Sequence, residues 1–189
     1  MEKLFADLPA QTPAAILCVL HVGPYPSHFP EILNRCSLLP AHHARHGELI
    51  RQGEIYVAPS DHHLLVRRGL LTLSRGPRVN WSRPAIDPLF ASAAKTYGSS
   101  VIGVLLTGRL NDGTAGLYEV KRHGGMTIVQ DPSDAMCPGM PASALKHLAV
   151  DHCVPLTAMP RILFQLCKDV AMRAKEAWRA TGTGGPSHA

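Results

Sequence analysis

Two stretches of this chain, residues 14–20 (AAILCVL) and 101–106 (VIGVLL), are apolar without interruption. A strand wetted on one face alternates apolar with polar side chains, so an unbroken apolar run of strand length needs cover on both faces. A mainly parallel sheet with helices above and below meets that need. The remaining sequence supplies the helices, and the expected architecture is α/β: three α/β/α layers, doubly wound, around a mostly parallel sheet.

The other elements follow from periodicity and punctuation. Residues 84–97 give the clearest helix, with Ile86, Leu89, Phe90, Ala93 and Tyr97 at helical spacing and Gly98 as its stop. Shorter helices are expected over residues 1–8, from a Ser27 cap to about Asn34, from the turn after residue 106 to about His123, and over about 142–149. A final helix is expected over 160–178. Residues 126–130 read as a strand after Gly124 and Gly125, residues 152–155 as a short fourth one, and residues 54–58 as β-like. Residues 63–67 and 70–74 flank Arg68 and Gly69 as an antiparallel hairpin.

Composition narrows the function. Apolar residues make up 46% and charged residues 17%, which suits a globular core. The net charge of +5 is spread along the chain, and aromatics are only 5%, so nucleic acid is not an expected partner. No apolar run approaches the ~20 residues that cross a bilayer, and the start MEKLFADLP lacks a signal-peptide core, so the expected place is the cytoplasm, without membrane insertion. The five cysteines are scattered without CxxC spacing, as reduced thiols would be.

His21 closes the first apolar run just before Gly23 and Pro24, and Asp112 lies in the glycine-bounded turn LLTGRLNDG that closes the second. The carboxyl ends of strands form the functional edge of an open parallel sheet, so a base and an acid placed there can meet. In a serine-type hydrolase the histidine takes a hydroxyl proton and the carboxylate fixes its tautomer. Each residue also has a structural reading, His21 as the holder of a loop carbonyl and Asp112 or Asn111 as the cap of the following helix. No GxSxG turn occurs, and Ser27, Ser60, Ser99 and Ser100 do not stand on a strand-to-helix elbow. Two rival chemistries are weaker. His42, His43 and His46, or His62 and His63 after Asp61, bring metal-ligating types together, but the first group lies in a polar connecting stretch. Cys137 is a thiol with nothing beside it to activate it.

The blocks LPAQTPAAILCVLHVGP, GEIYVAPSDHHLLV, GPRVNWSRPAIDPLF, VIGVLLTGRLNDGTAGL, TIVQDPSDAMCPGMPASAL and AVDHCVPL follow one another in order. The series, over about residues 4–156, resembles the catalytic domain of CheB, the chemotaxis protein-glutamate methylesterase. The resemblance implies a Ser-His-Asp enzyme without a cofactor, acting on the cytoplasmic helices of methyl-accepting chemoreceptors. There it would hydrolyse glutamate γ-methyl esters and deamidate glutamines. His21 matches the family histidine and would be the general base; Asp112 matches the aspartate of TGxxxDG and would orient it. The family serine lies in a Gly-Ala-Ser-x-Gly-Gly turn after a first strand. That turn precedes the helix of residues 1–8. The expectation is therefore a catalytic domain over residues 1–157 lacking its first strand and nucleophile, a C-terminal helix over 158–180 and a disordered tail over 181–189. Arg109 stands where the family commonly carries methionine. The family's receiver domain has no counterpart in the sequence, so control by phosphorylation does not follow from the resemblance, and a phosphorelay protein is a candidate partner rather than an assigned regulator. The alternative reading is a catalytically inactive receptor-binding or signalling module of the same fold.

Overall fold

The computed structural model describes residues 2–23, 25 and 27–181; what was expected of Met1 and of residues 182–189 lies outside the described residues. The elements in chain order are α1 (Glu2–Ala6), β1 (Ile16–Cys18), α2 (Phe29–Cys36), β2 (Ala41–His43), β3 (Ile55–Val57), β4 (His63–Arg67) and β5 (Leu70–Ser74). Then come α3 (Ile86–Tyr97) with a 3-10 turn (Gly98–Ser100), β6 (Ile102–Leu105), α4 (Thr114–Arg122), β7 (Met126–Gln130), α5 (Gly139–His147), β8 (His152–Val154) and α6 (Met159–Thr181).

The strands pair as two parallel three-stranded sheets, in the orders β1-β3-β2 and β6-β7-β8, and one antiparallel hairpin, β4-β5. Side chains leave each strand alternately to two covered faces. Ile16, Cys18, Ile55 and Val57 pack with Phe5, Leu8, Phe29 and Leu33 of α1, α2 and their borders, whereas Leu17 and Tyr56 pack toward Leu89 of α3 and the hairpin. In the other sheet Ile102, Val104 and Ile128 meet Leu4 and α6, while Leu105 and Val129 meet α3, α4 and α5 through Ile86, Leu117 and Ala144. Two covered faces are what the unbroken apolar runs require, and the mixed α/β architecture with mostly parallel strands is the one observed.

Several details differ from the sequence expectation. The strands cover only the centres of the apolar runs. The stretch holding His42 and His43 is not a connecting loop but contains β2, which pairs in parallel with β3. Helix α5 begins at Gly139 and Thr181, expected to open the tail, still belongs to α6. Among the described residues the single expected sheet is divided: β1 pairs only with β3 and β6 only with β7. Ile16, Cys18 and Leu20 on one side and Ile102, Val104 and Leu106 on the other line one apolar cleft of about 250 Å³, which also reaches His21. Among the described residues no helix is long and apolar enough to cross a membrane.

Candidate active site

Asp112 is 2% exposed and sits where the turn after β6 meets the start of α3. Helix α3 has Ala85 at its N-cap and no capping side chain of its own. Asp112 supplies that cap from the far side: Oδ2 accepts the Ile86 N–H at 2.7 Å and Oδ1 the Asp87 N–H at 3.3 Å. Oδ1 also accepts the N–H of Gly113 at 3.0 Å. The expected structural role, capping the helix that follows, therefore falls on a different helix, since α4 begins after Gly113 without a side-chain cap. A carboxylate at a helix N-terminus is favoured by the unpaired N–H groups and the helix dipole. Gly113 makes the placement possible. Its φ of +90° is left-handed, and a Cβ there would lie 2.5 Å from Leu105 Cδ1.

His21 reaches this carboxylate from the end of the segment that continues β1. Its Nε2 lies 2.6 Å from Asp112 Oδ2, and its side chain is 32% exposed, so one nitrogen is held while the ring faces solvent. Burial pushes the Asp112 carboxyl up, but the hydrogen bonds from His21, the Ile86 N–H and Asn80 outweigh it and hold the group below its ordinary value. Asp112 is thus an anion at neutral pH, able to fix the imidazole tautomer and to stabilise an imidazolium.

The loop between β5 and α3 completes the site. Arg83 ties it down by donating to Asp61 Oδ1 from Nε at 3.0 Å and Nη2 at 2.6 Å, and to the carbonyls of Arg75 and Gly76 from Nη1. His63 donates from Nε2 to the Pro77 carbonyl at 2.9 Å and accepts the Ala85 N–H on Nδ1 at 3.3 Å. Between these anchors Asn80 donates from Nδ2 to Asp112 Oδ1 at 2.8 Å and to Asp87 Oδ2 at 2.7 Å. Burial raises the Asp87 carboxyl above its usual range despite the N–H of Gly116 and the Asn80 amide, and the neighbouring Asp112 charge adds to the rise. Arg78, Trp81 and Ser82 from the same loop share a small crevice with His21.

His21 and Asp112 are brought together; the other sequence candidates are employed elsewhere. Ser27 Oγ accepts the Phe29 N–H, and Ser60 Oγ donates to the Tyr25 carbonyl. His42 pairs with Glu48 at 2.9 Å, His43 with the Ser27 carbonyl, and His62 with the Ser60 carbonyl and Arg75. Among the described residues no three His, Cys, Asp or Glu side chains gather in a metal-holding group. Cys137 contributes its backbone, bonding Thr107 and Gly108. Arg109 is exposed in the turn before Asp112. Asn80, Asp87 and Arg83 carry no signal in the sequence that singles them out, and His63 stands out there only as a metal-ligating type beside His62. Asn80 lies in the block GPRVNWSRPAIDPLF, but no spacing within it tells which polar side chain turns inward.

The model of the CheB methylesterase family matches residues 1–163 of this chain. A protein-glutamate methylesterase/protein-glutamine glutaminase of Pyrococcus abyssi is 35% identical over 188 residues, which is 97% of this chain and 49% of that protein. One from Anaeromyxobacter dehalogenans is 39% identical over 169 residues, 89% of this chain and 50% of that protein. The chain thus spans about half the length of these relatives. The crystal structure of the Thermotoga maritima CheB methylesterase catalytic domain superposes with a TM-score of 0.82 at 32% identity, covering 87% of this chain and 90% of that one.

Proposed function

The chain belongs to the CheB methylesterase family, and from that membership we propose that it carries the base and orienting acid of a protein-glutamate methylesterase. Its substrates in this reading are glutamate γ-methyl esters, and glutamines, on the cytoplasmic helices of chemoreceptors. The observation that carries the reading is the 2.6 Å hydrogen bond between His21 and the buried Asp112. With Nε2 held by Asp112, His21 presents Nδ1 to the reaction. Nδ1 takes the proton of a serine hydroxyl as its oxygen attacks the ester carbonyl, and returns the proton to the leaving methoxide, so that methanol departs. Water then attacks the acyl-serine with the same histidine as base. No cofactor is needed for either half.

The serine of this reading stands on a turn at the carboxyl end of a strand seated between β1 and β6. The apolar cleft between those strands, with His21 in its wall, supports that position. Reading the DNA in frame upstream of Met1 tests it, together with methanol release from methylated receptor fragments. The expected result is a strand and a Gly-Ala-Ser-x-Gly-Gly turn upstream, hydrolysis by the extended chain and none by residues 1–189 alone. A stop codon directly upstream, with receptor binding but no methanol, would instead favour a non-catalytic binding module.

A further inference from the structure

Two carboxylates lie on either side of one amide. Asn80 Nδ2 donates to Asp87 Oδ2 at 2.7 Å and to Asp112 Oδ1 at 2.8 Å, so both of its protons are engaged. The far oxygen of Asp87, Oδ1, accepts the Gly116 N–H at 2.6 Å. On Asp112 the oxygens divide their partners. Oδ2 takes His21 and the Ile86 N–H, and Asn80 is the one side chain on Oδ1 among the described residues. Among the described residues the charged or titratable groups that face Asp112 are His21 on the β1 side and Asp87 at the start of α3.

The backbone that delivers the amide is strained. Asn80 has φ 49° and the next residue, Trp81, φ 65°. Asparagine tolerates the left-handed region, but a bulky residue rarely adopts it, and such strain collects at functional sites. Trp81 is 87% exposed, so no core packing compensates for its conformation. What the turn achieves is to aim Asn80 inward, between anchors at Arg83 and His63.

We propose that Asn80 is a positioning residue of the His21–Asp112 pair: its amide holds Oδ1 of Asp112, leaves Oδ2 facing His21, and separates that carboxylate from Asp87. Only a side chain with two N–H protons on one atom does both. Aspartate at this position would add a third negative charge, and serine offers a single proton. The proposal rests on the reading of His21 and Asp112 as base and orienter. Its test, however, does not involve ester hydrolysis, so it stands or falls separately from that reading.

The test is a carboxyl-carbon NMR titration of Asp112 and Asp87 in this chain and in Asn80→Gly. Glycine suits the left-handed backbone, so the substitution removes the amide without adding strain. The expected result is that both carboxyls titrate about one pH unit higher, roughly tenfold tighter proton binding, because a donor to each anion is gone. The ring nitrogen-15 shifts of His21 are read in the same samples: the tautomer held by Asp112 is expected to give way to a mixture in Asn80→Gly, whereas an unchanged tautomer beside shifted carboxyl titrations would show an asparagine that only donates to the carboxylates and would overturn the proposal. Asn80→Asp, of the same shape, serves as the second variant. It folds at acid pH, where the added carboxyl is protonated, and raises the titration of Asp112 further. An unmoved Asp112 in either variant, or failure of both to fold at any pH, would also overturn it.

Discussion

His21 Nε2 and Asp112 Oδ2 stand 2.6 Å apart although 91 residues separate them in the chain. Two chain reversals at the same edge of the fold bring them there, one after β1 and one after β6. The carboxylate does two jobs at once, because the oxygen that meets His21 also caps α3 through Ile86. Orientation of the imidazole and attachment of α3 to the turn are therefore one feature of the structure.

That double role separates the effects of two substitutions. Asp112→Ala leaves the Ile86 N–H, the Gly113 N–H and the Asn80 amide without their acceptor in a buried place, and is expected to cost about 3 kcal/mol or more. His21→Ala removes a part-exposed ring from the surface and is expected to cost less than about 1 kcal/mol. Urea denaturation measures both, and equal losses would contradict the capping role.

The acid side of the stability curve should carry the same signature. Asp112 titrates below its ordinary value in the folded chain, so its contribution is complete above the unfolded value of about 3.9 and is lost as pH falls through the folded one. Asp87 is raised, so its sign is opposite: its contribution is complete below the unfolded value and is lost as pH rises through the folded one. On acidification Asp87 is expected to take up its proton before Asp112. Asp112→Asn is expected to flatten the acid loss of stability below about pH 4. The reverse order of titration by NMR would contradict these assignments.

Helices α3 and α4 approach too closely for a side chain at Gly116. A Cβ there would lie 2.7 Å from Phe90 Cβ and 2.9 Å from the Asp87 backbone. Backbone cannot yield as a flexible side chain does, so Gly116→Ala is expected to lose about 2–3 kcal/mol in denaturant unfolding. A loss within about 0.5 kcal/mol would show that the helices have room to part.

Burial pushes the Cys18 thiol up to about 12 and the Cys167 thiol up to about 11, leaving almost no thiolate at pH 8. Cys153 is exposed, though partial burial and the Asp131 carboxylate raise it too. Iodoacetamide at pH 8 is expected to label Cys153 in the folded chain well before Cys18 and Cys167, whose thiols stay protonated there and react fully after denaturation. Labelling of Cys18 as fast as Cys153 would contradict the packing of β1.

Local signals were legible where the chain carries its own punctuation. The hairpin β4-β5 and strand β7 have the bounds that Arg68-Gly69 and Gly124-Gly125 imply, since these turns fix where pairing can start. Strand β2 was not legible. Its sequence, Ala-His-His, has no strand pattern, and its form comes from pairing with β3 and from His42 lying edge-on to Tyr56 at 5.0 Å. His21 and Asp112 could be read because each closes an apolar run. Asn80 and Asp87 could not, because their meeting with Asp112 depends on a loop fastened by distant partners such as Asp61. The division into two parallel sheets likewise depends on how the edges of β1 and β6 are placed, which no local pattern records.

The central claim is that His21, oriented by Asp112, is the base in ester hydrolysis. Its most direct test is the rate of methanol release from methylated chemoreceptor fragments by a chain extended to include the serine-bearing turn of the proposed reading, compared with the same chain carrying His21→Gln. The account predicts a loss of about a millionfold, as expected when a triad member is removed, with receptor binding retained. A His21→Gln protein that still releases methanol within about tenfold of the parent rate would contradict it.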